Sequence, residues 1–285
     1  MSYELILFSI FFAFALLEAS QSKLLRIATE KPTDKWVELI SGIFLLTITQ
    51  PTVLIASRNL TAWIAPEVTG IFSDIPIVAG LALLLIFDDM MQYWWHRASH
   101  TFPWLYGLHR AHHNADYMSI RIVYRNNILY YAFMPSLWFS GALIQMGLDH
   151  IYPGYIIVKL LVIYGAHSST CWDKRLYRVS WLSPVMWIVE RTISTPATHF
   201  AHHGKYASDP ATNYKGNFGN LLFFWDVLFG TAKITRSYPE AYGVENLAPM
   251  SARAQLLWPI LRDKTTPYSE QTKENDAAPH SAPAE

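Results

Sequence analysis

Long apolar runs separated by short polar segments dominate the first 165 residues of the chain. The runs occupy residues 5–17, 36–56, 75–91, 128–147 and 151–165. Most of them approach the roughly 20 residues that cross the hydrocarbon core of a bilayer as a helix, and the last is short. The pattern predicts an all-α, integral-membrane helical bundle with about four spans plus a hairpin or a short fifth span. Lys159 lies inside the last run, which favours a shallow hairpin over residues 128–167 in which Lys159 reaches an interface or a partner.

Composition separates this interpretation from its alternative, a set of buried helices in a large soluble core. Hydrophobic residues make up 52% of the chain and charged residues 15%, against about 25% charged residues in soluble domains. The mixed aromatic sequence after residue 177 is typical of a membrane interface. We therefore expect one membrane-embedded domain over residues 1–262 and a disordered polar tail over residues 263–285.

The short loops predict an orientation. Cations concentrate in three segments, 20–35, 97–125 and 174–191, whereas the loop 149–155 contains none. The positive-inside rule places cation-rich loops in the cytoplasm. The N-terminus and the loop 149–155 are therefore expected outside, and residues 96–125 and 167–285 inside. A bacterial inner membrane and an endoplasmic reticulum fit this pattern equally.

Charge and cysteine content exclude several classes of protein. The net charge is zero, so the chain lacks the basic field that binds nucleic acid. The single cysteine, Cys171, cannot form an internal disulfide, a zinc ribbon or an iron–sulfur cluster. Any metal site must therefore be built from the other ligand types, and the chain has 11 histidines.

Eight of these histidines form three closely spaced motifs. One motif is HxxxH and the other two are HxxHH, with the residues His96, His100; His109, His112, His113; and His199, His202, His203. Residues separated by three or four positions share one face of a helix, so each motif is expected to project imidazoles into one volume. Imidazole suits iron, zinc, copper and nickel. Eight imidazoles exceed what one ion can use, so the motifs predict a site for two metals.

At these motifs the sequence resembles the fatty acid hydroxylase and sterol desaturase superfamily of integral-membrane di-iron enzymes. The similarity covers roughly residues 80–232 and rests on the segments 89–100, 108–113, 195–204, 213–216 and 224–231. The resemblance implies a cytoplasmic cap of helices that holds two iron ions against the membrane and oxidises a lipid with O2. It also implies His167 as a further ligand. Thr198 departs from the family, because many relatives have a histidine at that place.

Acidic and amide residues near the motifs are candidates for supporting roles. A histidine that binds a metal usually donates its other N–H to a carboxylate or carbonyl. Asp89 precedes His96 by two helical turns, so we expect Asp89, rather than Asp88, to orient a ligand histidine. Asp226 and Asn213 match positions of the family and are weaker candidates for the same support.

The leading functional prediction is hydroxylation of an unactivated C–H bond in a sterol, a fatty acyl chain or another long-chain lipid. Desaturation on the same site is the first alternative. A zinc-dependent membrane hydrolase is more remote, because the sequence has no HExxH glutamate. A metal transporter is also more remote, because its ligands would lie near the middle of the membrane, whereas these histidines follow the predicted spans. No GxGxxG motif occurs. Electrons are therefore expected from a separate ferredoxin-, cytochrome- or reductase-type donor, docked near Arg110–Arg125 and Lys174–Arg178.

Overall fold

Helices are the regular elements of the described part of the chain, as the apolar pattern predicts. The computed structural model describes residues 3–21, 24, 27–247 and 249–263, and within them one isolated bridge, Gly204 to Tyr242, is the β-type pairing. The helices are α1 (Tyr3–Ser20), α2 (Asp34–Ile64), α3 (Ile77–Thr101), α4 (Pro103–His113), α5 (Pro135–Gln145), α6 (Tyr152–His167), α7 (Trp172–Leu176), α8 (Ser183–Thr192), α9 (Pro196–His202), α10 (Phe224–Leu228) and α11 (Ala252–Leu257). The all-α class is thereby confirmed.

Two helices, α2 and α3, are long and apolar enough to cross a membrane. Each contains a π-helical segment, Leu45–Thr49 in α2 and Leu85–Met90 in α3. In α2 the segment precedes Pro51, which has no N–H to continue the α-helical bonding. In α3 the segment contains Asp88 and Asp89, and both of these side chains are buried. The wider turn therefore brings two consecutive acids into the protein.

The other predicted spans are shorter helices. The apolar run 128–147 is helical only over α5, because Met134 is extended before Pro135 and Gly147 adopts a φ of 109°. At 1.5 Å per residue α5 is about 16 Å long, against about 30 Å for a hydrocarbon core. By the same measure α6 is about 24 Å long. The number of spans thus stays a prediction.

Lys159 reaches a partner, which is one of the two predicted outcomes. Its Nζ lies 2.6 Å from Asp88 Oδ2 between α6 and α3, and both side chains are less than one tenth exposed. Tyr155 also donates a hydrogen bond to this carboxylate, at 2.7 Å. A buried charge is retained only when it is paired and hydrogen-bonded, so this cluster explains how a lysine is accommodated in an apolar run.

Buried ion pairs join the start of α2 to the segment that follows α4. Asp34, the first residue of α2, contacts Arg125 at 2.8 Å, and Glu38 contacts Arg121 at 2.7 Å. At the end of α1, the Glu18 carboxylate accepts a hydrogen bond from the Ser169 backbone at 2.8 Å. The end of α1, the start of α2 and the loops that follow α4 and α6 therefore meet at one end of the bundle. We call this the histidine end, because α3 carries its histidines there.

These pairs change the prediction for the cationic loops. Arg110 and Arg125 are buried, and Arg121 is paired with Glu30 and Glu38. The stretch Arg110–Arg125 is consequently not the exposed docking face that its charge suggests, because Arg110 is buried and acids of this chain pair with Arg121 and Arg125. The predicted disordered tail, apart from Asp263, lies outside the described residues.

Candidate metal centre

The nine histidines singled out by sequence lie together in two groups. The five of the first group are His96, His100, His109, His113 and His202. The four of the second group are His112, His167, His199 and His203. Within each group the potential ligand nitrogens all lie within 4.8 Å of one another, and His100 alone among the nine is partly exposed. In a metal site with bonds of about 2.1 Å, nitrogens on opposite sides of the ion lie about 4.2 Å apart. Each group is therefore compact enough to surround one ion.

Neither HxxHH motif forms a site by itself. His112 and His113 are adjacent in α4 but belong to different groups, and the same holds for His202 and His203 at the end of α9. Neighbouring residues on a helix point in different directions, so each pair divides between the two volumes. The rings of His113 and His203 stack at 4.4 Å and connect the groups. Each group consequently combines side chains from several helices.

Oxygen atoms outside the groups orient five of the imidazoles. An oxygen of a carbonyl or amide can only accept, so the Nδ1 atom in each pair is the donor. The pairs are His96 with Phe218 O (2.7 Å), His109 with Asn126 Oδ1 (3.0 Å), His112 with Ile122 O (3.0 Å), His167 with Ile163 O (2.8 Å) and His202 with Gly216 O (2.8 Å). This leaves the Nε2 atom of each ring with a free lone pair. The five imidazoles therefore have the tautomer that binds a metal through Nε2.

The facing nitrogens fit a bound cation. His113 Nε2 lies 3.1 Å from His100 Nε2 and 3.2 Å from the Nε2 atoms of His109 and His202. One N–H can serve only one of these three acceptors. In the second group, neither ring nitrogen of His203 has a hydrogen-bond partner among the described residues although both are buried. Unpaired buried nitrogens are costly, and a metal ion at the centre of each group would satisfy one nitrogen of each ring.

Burial also favours the protonation state that a metal requires. It lowers the pKa of His112, His199 and His203 well below the usual value, and each is further lowered by neighbouring imidazoles. These rings are therefore neutral at pH 7. Neutral imidazole is the form that binds a metal ion.

Asp89 has a different contact from the one expected. Its carboxylate accepts hydrogen bonds from the backbone N–H groups of Leu221 (3.3 Å) and Leu222 (3.1 Å) and from Trp225 Nε1 (2.8 Å). Among the described residues Asp89 has no hydrogen bond to a histidine, so the predicted direct contact is corrected. The reason is geometric, because the loop before α10 lies against the π-helical segment of α3 and its backbone N–H groups contact the Asp89 carboxylate. Asp89 therefore stabilises the loop that contains Phe218.

Asp226 supports the same loop. It accepts from the backbone N–H groups of Phe218 (2.8 Å) and Gly219 (2.6 Å) and from the Thr231 hydroxyl (2.6 Å). Asn213 donates to Asn217 Oδ1 at 2.8 Å. The carbonyl groups that orient His96 and His202 belong to this loop. Both sequence candidates therefore stabilise the loop without contacting an imidazole.

Thr198 takes part in starting α9. Its hydroxyl accepts from the Thr195 backbone N–H at 3.0 Å, while the Thr195 hydroxyl accepts from the Thr198 N–H. This reciprocal pair is a capping box, which satisfies two N–H groups at a helix start. The residue that stands in place of the family's histidine thus fixes the helix that carries His199 and His202.

Sequence reasoning missed Asn126 and the four backbone carbonyls. A carbonyl has no signal in a sequence, because every residue carries one. Asn126 has a weak signal, since the polar stretch Arg125-Asn126-Asn127 directly precedes an apolar run. Of the two histidines outside both groups, His150 is exposed and His280 lies outside the described residues.

Comparisons with known proteins agree with this geometry. An alkylglycerol monooxygenase of Danio rerio is 27% identical over 184 residues, which cover 64% of this chain and 37% of that protein. The enzyme of the same name from Homo sapiens is 25% identical over 143 residues, covering 50% of this chain and 28% of that protein. The chain thus spans about a third of the length of these relatives. No solved structure matches the chain.

The family model for fatty acid hydroxylase matches residues 81–231. This range is more than half of the 285 residues, and it contains all nine histidines of the two groups. It also coincides with the region that the sequence motifs delimit. The chain therefore belongs to the fatty acid hydroxylase family.

Proposed function

We propose that this protein is an O2-dependent lipid monooxygenase whose two histidine groups hold two iron ions. The observation that supports it is the convergence of nine imidazoles on two adjacent volumes within a helical bundle. The relatives carry the name alkylglycerol monooxygenase. We therefore propose a lipid with a long alkyl chain, of the alkylglycerol kind, as the substrate, and hydroxylation as the reaction.

The proposed reaction inserts one oxygen atom of O2 into a C–H bond of the lipid. The second oxygen atom leaves as water, which consumes two electrons and two protons. Bound iron would supply the activation of O2. The electrons come from a separate protein donor. We place the active site on the cytoplasmic side of the membrane, at the histidine end of the bundle.

The chain's own residues position the imidazoles and exclude water. Backbone carbonyls hold His112 and His202 in one tautomer and one orientation, so the ligands are arranged before a metal binds. The burial of the histidines keeps bulk water from the reacting atoms. Both effects favour oxidation of the bound lipid over side reactions.

We further propose that the electron donor docks at α7. Lys174, Arg175 and Arg178 are exposed there, in contrast to the buried Arg110 and Arg125. The neighbouring Asp173 accepts a hydrogen bond from the Ala197 N–H of α9 at 2.8 Å, so α7 lies directly against the helix that carries His199. An acidic surface on the donor would complement these charges.

The test combines metal analysis with isotope labelling. Purified wild-type protein should contain about two irons per chain and should transfer one atom of 18O2 to an alkylglycerol. Replacement of His203 by Ala should lower the iron content and abolish oxidation. His150→Ala is the matched control, because His150 is exposed and outside both groups. A single zinc without iron would overturn the proposal in favour of a hydrolase, and a product with a new double bond would favour a desaturase.

A further inference from the structure

A large apolar groove runs along the membrane-facing side of the bundle. It has a volume of about 970 Å³ and lies between α1, the first half of α2 and α6. Its apolar wall includes Phe8, Phe11, Leu39, Ile43, Leu46 and Leu54. Of these, Phe8, Leu39 and Ile43 are more than half exposed. Such a surface, continuous with the outside of a predicted membrane protein, suits an alkyl chain.

The groove adjoins a small cavity that reaches the histidines. The cavity has a volume of about 120 Å³, and its wall includes His96, His109, His112 and His167. Four residues line both the groove and the cavity and form a neck between them: Gln50, Tyr124, Ile156 and Leu160. A ligand in the groove therefore needs to pass only this neck to reach both histidine groups.

The two compartments differ in chemistry. The cavity is lined by Asp88, Lys159 and Gln92 in addition to the histidines. Gln92 Oε1 is buried, and no described residue donates a hydrogen bond to it. An unsatisfied amide oxygen calls for a donor such as a hydroxyl group.

Three charged residues line the groove. Arg121 and Glu38 lie at the histidine end, and their charges are compensated because they are paired with each other at 2.7 Å. Lys35 is the third, and it is exposed to solvent. The unsatisfied acceptor is in the cavity, beyond the neck.

We propose that a lipid with one alkyl chain and an uncharged, hydroxyl-bearing head binds head first. The head occupies the cavity and donates to Gln92, while the chain passes the neck and lies in the groove between α1 and α2. Only the reaction assigned to the bound lipid rests on the proposed function. A charged phosphocholine head would have to leave water to enter the cavity, and the burial of an unpaired charge is costly.

The arrangement also determines which carbon is oxidised. Carbons close to the head lie next to the histidines, and the methyl end of the chain lies in the groove. Oxidation is therefore expected near the polar head of the lipid.

Photo-crosslinking in lipid nanodiscs tests the arrangement without relying on turnover. The probe is an alkylglycerol with a diazirine at the methyl end of its chain, and labelled peptides are identified by mass spectrometry. We expect labelling of α1 and of residues 39–54. The phosphocholine ester of the same probe should label these peptides at least tenfold less. Labelling of the peptides around His96 or His109 would overturn head-first binding, and equal labelling by the phosphocholine ester would overturn the requirement for an uncharged head.

A pair of variants tests the neck. Leu160→Trp enlarges a neck residue and should reduce labelling and competition by unlabelled alkylglycerol at least tenfold. Leu161→Trp makes the same change at the adjacent residue, which is 47% exposed outside the groove, and should behave as wild type. Gln92→Leu, which removes the acceptor without enlarging the side chain, should weaken competition by alkylglycerol but not by an alkane of equal length. Wild-type behaviour of both Leu160→Trp and Gln92→Leu would refute the route.

The experiments distinguish failure of the proposed binding mode from failure of the proposed function. Specific labelling of the groove in a protein that oxidises no lipid would leave the binding mode intact and overturn the proposed function. Oxidation of alkylglycerol with labelling outside the groove would overturn the binding mode and leave the proposed function intact.

Discussion

Replacing Asp89 by Asn tests how the loop before α10 supports the first histidine group. The carboxylate accepts three hydrogen bonds, from Leu221 N, Leu222 N and Trp225 Nε1. The amide of Asn keeps one acceptor oxygen and replaces the other by NH2, which opposes at least one N–H donor. A hydrogen bond to a charged group contributes about 1.5–3 kcal/mol. We therefore expect a loss of about 2–3 kcal/mol in the free energy of unfolding.

The loss should also reach the metal through the loop. The loop carries Phe218, whose carbonyl accepts from His96 Nδ1 at 2.7 Å. Weakening such outer support lowers metal affinity about 10–100-fold. The second group is oriented by the carbonyls of Ile122 and Ile163 instead. The variant is therefore expected to lose metal from the first group and keep it in the second.

Two measurements on purified protein check this expectation. The melting temperature should fall by about 4–12 °C, at about 2–4 °C per kcal/mol for a chain of comparable size. Titration with limiting ferrous iron should show one tight and one weakened site, and excess iron should fill the weakened site. Asp149→Asn removes the same charge at an exposed position and serves as the control. A variant of Asp89 with unchanged melting temperature and two tight sites would refute the role assigned to this residue.

Three further predictions follow from contacts of single residues. Asn126→Leu removes the acceptor of His109 and should weaken one metal site about 10–100-fold in a metal titration. Asn126→Asp keeps an acceptor and should retain the affinity of that site, so equal behaviour of the two variants would contradict the role of Asn126. Asp34→Asn leaves Arg125 without its fully buried charge partner and should cost about 3–5 kcal/mol, measured as reduced thermal stability; an unchanged melting temperature would show that the pair is dispensable. Single cysteines at Asp149 and Lys174, in a background whose native cysteine is replaced by serine, should be labelled by an impermeant maleimide from the outside and the inside, respectively; the opposite result would reverse the predicted topology.

The sequence alone predicted histidine as the ligand type and a site for two metals. Spacing of three and four residues puts histidines on one side of a helix, whatever the helix packs against. Eight imidazoles are too many for one ion, and this count needs no coordinates. The two groups contain all eight, together with His167. The all-α class followed in the same way from the apolar runs.

The division of the histidines between the two groups was decided by tertiary structure. The sequence suggests that each motif forms a unit, yet His112 and His113 belong to different groups, as do His202 and His203. Which volume an imidazole enters depends on how α3, α4, α6 and α9 pack around one another. Local spacing contains no information on that packing.

The supporting contacts were likewise decided by the fold. Two helical turns separate Asp89 from His96, which made a direct contact plausible. The loop before α10 instead brings three donors to Asp89 from more than 130 positions further along the chain. The pairing of Lys159 with Asp88 also joins distant segments and explains a charge that an apolar run alone leaves unexplained. Periodicity along a chain predicts which groups can share a helix face, whereas partners from distant segments meet only when the helices pack.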